Sequence, residues 1–126
     1  MKVYIAGPLS AGTREEMLTN VERAVLAGDK VRQLGHLPFV PHLTLFADEI
    51  MQRAGRNVHW SAWVEEDLHW LEACDALLIQ GEWQDSKGSW VEYIFAKHAK
   101  MKVFESLVEF ECWCKESCCR RTSSLT

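Results

Sequence analysis

The spacing of apolar and polar residues divides the chain into short strands and longer helices in alternation. Short β-type runs predict strands over residues 2–6, 36–40, 75–80 and 102–105. Apolar residues at helical spacing predict helices over residues 13–35, 59–71 and 90–100, and residues 43–51 allow a further short helix. The third strand is apolar throughout (residues 76–79), which is typical of a strand buried on both faces.

This β-α-β-α-β-α-β order predicts the fold class. Strands that alternate with helices form a parallel sheet, and right-handed crossovers cover it on both sides. We therefore expect an α/β fold with a doubly wound parallel sheet, a flavodoxin-like or Rossmann-like three-layer sandwich. Residues 1–105 form its one domain. In the tail, residues 106–126, alternation of Val108, Phe110 and Cys112 with polar residues predicts an edge strand, and the end from Arg120 is expected to be frayed.

Length and charge narrow the class of protein. The chain has 126 residues, 48% of them hydrophobic, which favours one globular domain. A net charge of −4 disfavours polymeric nucleic acid as the partner, although a few backbone N–H groups can still bind a small anion. No apolar run is long enough to span a bilayer, and the N-terminal run is too short for a signal peptide. We expect no membrane partner and a cytoplasmic location.

The cysteine pattern agrees with reduced thiols. Four of the five cysteines fall within residues 112–119, which does not resemble a disulfide framework. Their spacing (Cys112, Cys114, Cys118 and Cys119) also departs from the usual two-pair zinc pattern. A reduced, flexible tail is the preferred interpretation, and a soft-metal site stays as the alternative.

Two loops of small residues follow the first and third strands, at residues 7–12 and 81–88. Ligands of doubly wound sheets bind at the carboxyl ends of the strands, where both loops fall. In the second loop, Ser86 and Gly88 precede a helix whose free N–H groups and positive dipole would attract a phosphate. Glycine and serine are also common loop residues, so this feature alone is weak.

Two carboxyl groups have a functional and a structural interpretation. Glu92 follows the second loop, where it either faces a bound sugar or completes a capping box with Ser89. Asp67 lies inside the apolar stripe of its helix, where burial would raise its pKa and suit it to general acid catalysis. A buried aspartate that caps a neighbouring loop is the alternative.

Five further positions are open at this stage. Tyr4 in the first strand is either a packing residue or a hydroxyl that faces the site. His42 ends the second strand on the side of the site, where a structural hydrogen bond is its commoner role. The side chains of Trp60, Trp63 and Trp70 form either core or cavity wall, with core as the default.

Four segments together carry a family resemblance: Val3-Tyr4-Ile5-Ala6-Gly7-Pro8, Asp67-Leu68-His69-Trp70-Leu71, Cys74-Asp75-Ala76-Leu77-Leu78 and Ser86-Lys87-Gly88-Ser89-Trp90-Val91-Glu92. In order and spacing they resemble the nucleoside 2-deoxyribosyltransferase superfamily. Within it the chain looks most like the 2'-deoxynucleoside 5'-monophosphate N-hydrolases and their small uncharacterised relatives. The resemblance covers about residues 2 to 105.

The resemblance implies a role for each site residue. Glu92 would be the nucleophile that forms a covalent glycosyl-enzyme, Asp67 would protonate or orient the leaving base, and Tyr4 would hold the Glu92 carboxylate. Sugar and phosphate contacts are implied for Gly7, Leu9, Ser86 and Gly88. Two more candidate substrate contacts, Ser10 and His42, follow from their positions: Ser10 in the loop after the first strand and His42 at the end of the second. No metal or other cofactor is implied, and the family pattern implies a homodimer or higher homo-oligomer.

Details of the motifs bear on the substrate. A serine at position 86 is similar to the pattern of the hydrolases that accept a 5'-phosphate. Transferases that act on free nucleosides carry an acidic residue at the corresponding position. Ser10 stands where the hydrolase pattern has arginine, so Arg14 is a candidate for the missing contact. The cysteine-rich tail also departs from the family. The alternatives are a deoxyribosyltransferase that exchanges bases and a non-catalytic nucleotide-binding or sensing module.

Overall fold

The computed structural model describes the backbone of residues 1–124 and the side chains of residues 1–117. The strands are β1 (Lys2–Ala6), β2 (Leu37–Phe39), β3 (Ala76–Ile79) and β4 (Lys102–Phe104). The helices are α1 (Arg14–Gln33), α2 (Thr44–Arg53), α3 (Trp60–Glu72), α4 (Lys87–His98) and α5 (Leu107–Ser124), with 3₁₀ turns at Pro41–Leu43 and Trp83–Asp85. No helix in this described part has the length and apolar character needed to cross a membrane.

The four strands form one parallel sheet in the order β2-β1-β3-β4. This order confirms the predicted doubly wound α/β fold and is of the flavodoxin-like kind. The chain reverses its direction of winding between β1 and β3. The carboxyl ends of these two strands therefore frame the crevice in which such sheets bind ligands.

Helices cover both faces of the sheet, and alternate strand residues enter opposite cores. The core beneath α1 and α5 contains Val3, Ile5, Ala24, Val31, Leu78 and Phe110. The core beneath α3 and α4 contains Tyr4, Ala6, Leu71, Leu77, Trp83 and Ala96. Tyr4 thus points into the same layer as the helices that carry Asp67 and Glu92.

Helix α4 begins at Lys87, three residues before the predicted start at Trp90. Ser86 is its N-cap, and the Ser86 hydroxyl accepts a hydrogen bond from the backbone N–H of Ser89 at 3.3 Å. Glu92 consequently lies in the second turn of the helix. The capping-box interpretation of Ser89 and Glu92 is therefore wrong, and this structural explanation for Glu92 no longer applies.

The tail after Phe104 is helical, so the predicted edge strand is wrong. Phe110 is fully buried and packs edge-to-face on Phe104 with ring centroids 5.0 Å apart. Leu107, Trp113 and Cys114 pack partly buried against the same core. This spacing of three to four residues is that of a helix face, and it prevails over the period-two alternation.

Two further expectations concern the end of the tail. The frayed end was expected from Arg120, whereas helix α5 includes the backbone of residues 120–124. A thiolate site would need Cys118 and Cys119, whose side chains lie outside the described residues, so this site stays a prediction.

Candidate active site

A cavity of about 470 Å³ opens at the carboxyl ends of β1 and β3. This volume lies in the range of small-molecule sites. The cavity is walled by the loop after β1, the turn after β2, helices α2 and α3, and the first two turns of α4. Eight residues proposed from the sequence line it: Gly7, Leu9, Ser10, His42, Asp67, Ser86, Gly88 and Glu92. Tyr4 does not line the cavity.

Gly7 and His42 shape the floor of the cavity. Gly7 has a φ of +153°, and a Cβ atom on it would lie 2.9 Å from the carbonyl oxygen of Gln80. Only glycine lets the end of β1 approach β3 so closely. The buried His42 donates from Nε2 to the Gly7 carbonyl oxygen at 3.1 Å, and burial lowers its pKa to about 4. At neutral pH the ring is therefore uncharged, and it combines a structural hydrogen bond with a place in the cavity wall.

Glu92 is the most buried carboxyl group of the cavity. Only 9% of the residue is exposed, and burial raises its pKa to about 8. The charge of Asp67 raises this pKa further, whereas the Tyr4 hydroxyl lowers it. Most of the Glu92 population is consequently protonated at neutral pH in the unliganded protein.

Asp67 enters the cavity from α3, as its position in the apolar stripe predicts. The residue is half-buried, and burial followed by the charge of Glu66 raises its pKa to about 7. Its Oδ1 atom is buried without a hydrogen-bond partner among the described residues. Asp67 therefore does not cap a neighbouring loop through this oxygen, and near neutral pH its carboxyl group can both give and take a proton.

Tyr4 lies beneath the two carboxyl groups. The residue is fully buried, and burial together with the charges of Glu92 and Asp67 raises its pKa above the usual value of 10. Its hydroxyl faces Glu92 and lowers the pKa of that carboxyl group, although no well-oriented hydrogen bond joins the hydroxyl to a described residue. Tyr4 is thus a neutral donor held against Glu92.

The first turn of α4 forms an anion-binding end of the cavity. Because Ser86 caps the N–H group of Ser89, the N–H groups of Lys87 and Gly88 are the remaining first-turn donors. The Lys87 ammonium group lies 4.9 Å from the ring centroid of Trp60, at the same end. The backbone donors, the helix dipole and this ammonium group together suit a phosphate.

The basic residue suggested for the missing arginine contact is engaged elsewhere. Arg14 makes a two-pronged ion pair with Glu49, and it does not line the cavity. Lys87 is therefore the one cationic side chain that lines the cavity within the described residues. Ser10, at the position of the family's arginine, lines the wall with a neutral hydroxyl.

Further cavity residues were not proposed from the sequence, or were assigned to the core. Trp60 and Trp63 line the cavity, and Trp70 is exposed and does not, so the default interpretation of these three tryptophans as core is wrong. Asp48 and Asp85 add two carboxyl groups to the wall. The sequence carries no periodic signal for Asp85, which lies in a 3₁₀ turn, and Asp48 lies on α2, a short helix that the sequence allows without a clear apolar period.

Comparison with known families adds one assignment. A family model described as "Domain of unknown function (DUF4406)" matches residues 1–105. The chain belongs to this family. The match contains the whole sheet and every cavity residue, and it ends before α5. No curated protein matches the sequence. The description of this family names no activity.

Proposed function

We propose that this protein is an N-glycosidase that hydrolyses the bond between base and sugar in (deoxy)nucleoside 5'-monophosphates. The observation that carries the proposal is the carboxyl pair Glu92 and Asp67, both with raised pKa, in one cavity above the Tyr4 hydroxyl. Two carboxyl groups that differ in burial and partners are what glycosidic bond cleavage with a covalent intermediate requires.

The first half of the reaction forms a glycosyl-enzyme. The ionised Glu92 attacks the anomeric carbon, and the bond from that carbon to the base nitrogen breaks with its electron pair going to the base. Protonated Asp67 gives its proton to the leaving base. Tyr4 orients the Glu92 carboxylate and favours its charged form, in agreement with its lowering of the Glu92 pKa.

Water completes the cycle. Asp67, now ionised, takes a proton from a water molecule that attacks the anomeric carbon, and the ester bond to Glu92 breaks. The products are the free base and the sugar 5-phosphate, and both carboxyl groups return to their starting states. The phosphate is bound by Ser86, Lys87 and the backbone N–H of Gly88.

The pKa values define the active protonation state of the pair. Nucleophilic attack needs one ionised and one protonated carboxyl group. With pKa values of about 7 for Asp67 and about 8 for Glu92, the pair carries one proton mainly between these two pH values. In the unliganded protein the higher pKa of Glu92 places this proton mainly on Glu92, so the attacking arrangement, with the proton on Asp67, is the minor one. The Tyr4 hydroxyl increases the share of that arrangement by stabilising the Glu92 carboxylate.

Asp85 supports a second candidate. Its carboxyl group lines the cavity next to Ser86, where it would accept a hydrogen bond from a free 5'-hydroxyl and would repel a phosphate. Free nucleosides, with base exchange in place of hydrolysis, are therefore the second candidate function. Lys87 and the α4 N-terminus favour the monophosphate.

The test is a chromatographic screen for released base. Each nucleoside and each nucleoside 5'-monophosphate, ribo and deoxy, is incubated with wild type and with Glu92→Gln. We expect wild type alone to release base from one or more monophosphates. Release from free nucleosides that rises with added acceptor base favours the transferase, and release from no substrate contradicts both enzymatic candidates.

A matched control separates catalysis from general effects of charge removal. Glu65→Gln removes an exposed carboxyl group from the helix that carries Asp67, outside the cavity lining. This variant is expected to keep wild-type activity. Asp85→Asn is expected to improve kcat/KM for monophosphates and to lower it for free nucleosides.

A further inference from the structure

The two ends of the cavity present different chemistry. The sheet order places the turn after β2 and helix α2 on one side of β1, and the start of α4 on the other. Trp60 contacts Lys87 and belongs to the α4 end. If the proposed function holds, phosphate occupies the α4 end and the sugar lies over Glu92. The base then enters the end formed by α2 and α3, whose lining includes Thr44, Leu45, Asp48, Trp63 and Val64.

The hydrogen-bond donors at this base end are already used within the protein. Trp63 donates from Nε1 to Asp48 Oδ1 at 3.0 Å. The Thr44 hydroxyl donates to the carbonyl oxygen of Pro41 at 2.8 Å. His42 donates from Nε2 to Gly7, and its neutral ring keeps a lone pair on Nδ1. These side chains therefore offer a ligand only acceptors.

Asp48 is the strongest of these acceptors. Its two oxygens are fixed by Trp63 and by Gln52, which donates from Nε2 to Oδ2 at 2.6 Å. A carboxylate oxygen has two lone pairs, so each oxygen can accept a further hydrogen bond. The carboxylate is thus oriented in advance, and a ligand that donates to it spends little conformational entropy on ordering it.

We propose that Asp48 is a specificity residue that selects nucleobases carrying an exocyclic amino group. Cytosine and adenine present an N–H donor where uracil and hypoxanthine present a carbonyl oxygen. When a base carbonyl oxygen lies against the Asp48 carboxylate, neither the carbonyl oxygen nor the carboxylate oxygen has a hydrogen-bond donor. In a partly desolvated site this lack of a donor costs binding free energy. Sites built around such hydrogen bonds discriminate strongly between substrates that differ in one polar group.

The experiment compares base pairs that differ only in this group. Affinities for dCMP against dUMP, and for dAMP against dIMP, are measured by titration calorimetry on the Glu92→Gln protein, so that turnover does not interfere. We expect the amino form to bind at least about tenfold more tightly in each pair. The same order is expected for kcat/KM of the wild-type protein in competition.

Variants identify the residue responsible. In Asp48→Asn, Trp63 still donates to the remaining carbonyl oxygen, so the amide nitrogen replaces Oδ2. The Gln52 amide then has to turn its oxygen towards this nitrogen, the second proton of the nitrogen faces the ligand, and the preference is expected to fall to parity or reverse. Trp63→Phe releases the carboxylate and is expected to reduce the preference in part. Glu49→Gln changes the neighbouring residue, which does not line the cavity, and is expected to leave the preference unchanged.

The outcomes separate this inference from the proposed function. Tight, amino-selective binding without release of base would keep Asp48 as a specificity residue and overturn the glycosidase. Release of base without preference between amino and carbonyl forms would overturn the role of Asp48 alone. A preference that survives both Asp48→Asn and Trp63→Phe would also overturn it, and absence of nucleotide binding would overturn both.

Discussion

Replacing Glu92 by glutamine is expected to change the pH dependence of stability as well as activity. In the unfolded chain this carboxyl group loses its proton near pH 4.5, whereas in the folded protein it keeps the proton to about pH 8. The folded state therefore binds more protons between these values. Its stability falls as pH rises from about 4.5 to about 8, and it is constant above that.

The magnitude follows from the two pKa values. Each pH unit between them costs the folded state about 1.4 kcal/mol, so burying the ionised group costs roughly 5 kcal/mol above pH 8. Glutamine avoids this cost, but its buried amide loses about 1–3 kcal/mol if it finds no full set of partners. Glu92→Gln should thus be neutral to mildly destabilising at pH 5 and stabilising by roughly 2–4 kcal/mol at pH 9.

Urea denaturation of both proteins at pH 5, 7 and 9 measures this difference. Glu49→Gln provides a control of opposite sign, because its hydrogen bond with Arg14 lowers the pKa of Glu49. Losing Glu49 should weaken the protein at neutral pH and have no effect in acid. Equal destabilisation by Glu92→Gln at pH 5 and pH 9 would refute the burial argument, because it would mean that the Glu92 carboxylate is ionised and fully paired.

Three further predictions concern the carboxyl pair and the tail. The rate of base release should follow a bell-shaped pH profile with its maximum between about pH 7 and 8, and Asp67→Asn should remove the alkaline limb. A flat profile from pH 5 to 9 would contradict the catalytic role of the two carboxyl groups. Tyr4→Phe should lower kcat about tenfold with little change in KM, because the Tyr4 hydroxyl orients Glu92 without lining the cavity. Steady-state kinetics measures both constants, and a change in KM alone would contradict this role. Phe110→Ala should cost about 3–5 kcal/mol of unfolding free energy in urea, and a loss below about 1 kcal/mol would mean that α5 is not part of the core.

The parts of the fold that follow from local periodicity were predictable. Four consecutive apolar residues in β3 indicated a strand buried on both faces, and all four are buried. The helical position of Asp67 within an apolar stripe also indicated its partial burial. In both cases one pattern of apolar residues along the chain determines whether a side chain is buried, so the burial can be predicted from the sequence.

The errors arose where two periods or two environments compete. The tail alternates with period two, but Phe110 and Trp113 also fit a helical face, and contact with Phe104 selects the helix. The apolar face of α3 packs on the sheet near Leu71 and borders a cavity near Trp63. No pattern along one helix distinguishes these two ends, because the difference depends on how far the neighbouring helices approach.

The distribution of unsatisfied polar atoms gives an independent argument that this cavity binds a ligand. Buried polar atoms without a partner are few in native proteins, and each costs about 1–3 kcal/mol. Among the described residues, such atoms are found on Tyr4, His42, Asp67 and Ser89, and three of these four residues line the cavity while Tyr4 faces Glu92. If these residues served stability alone, apolar replacements of similar shape would be favoured at each position. The Tyr4 hydroxyl is directed at Glu92 and not at the cavity. For His42, Asp67 and Ser89, concentration at one cavity wall is expected when the missing partners belong to a bound ligand, and a nucleotide supplies donors and acceptors of the kinds that these three atoms lack.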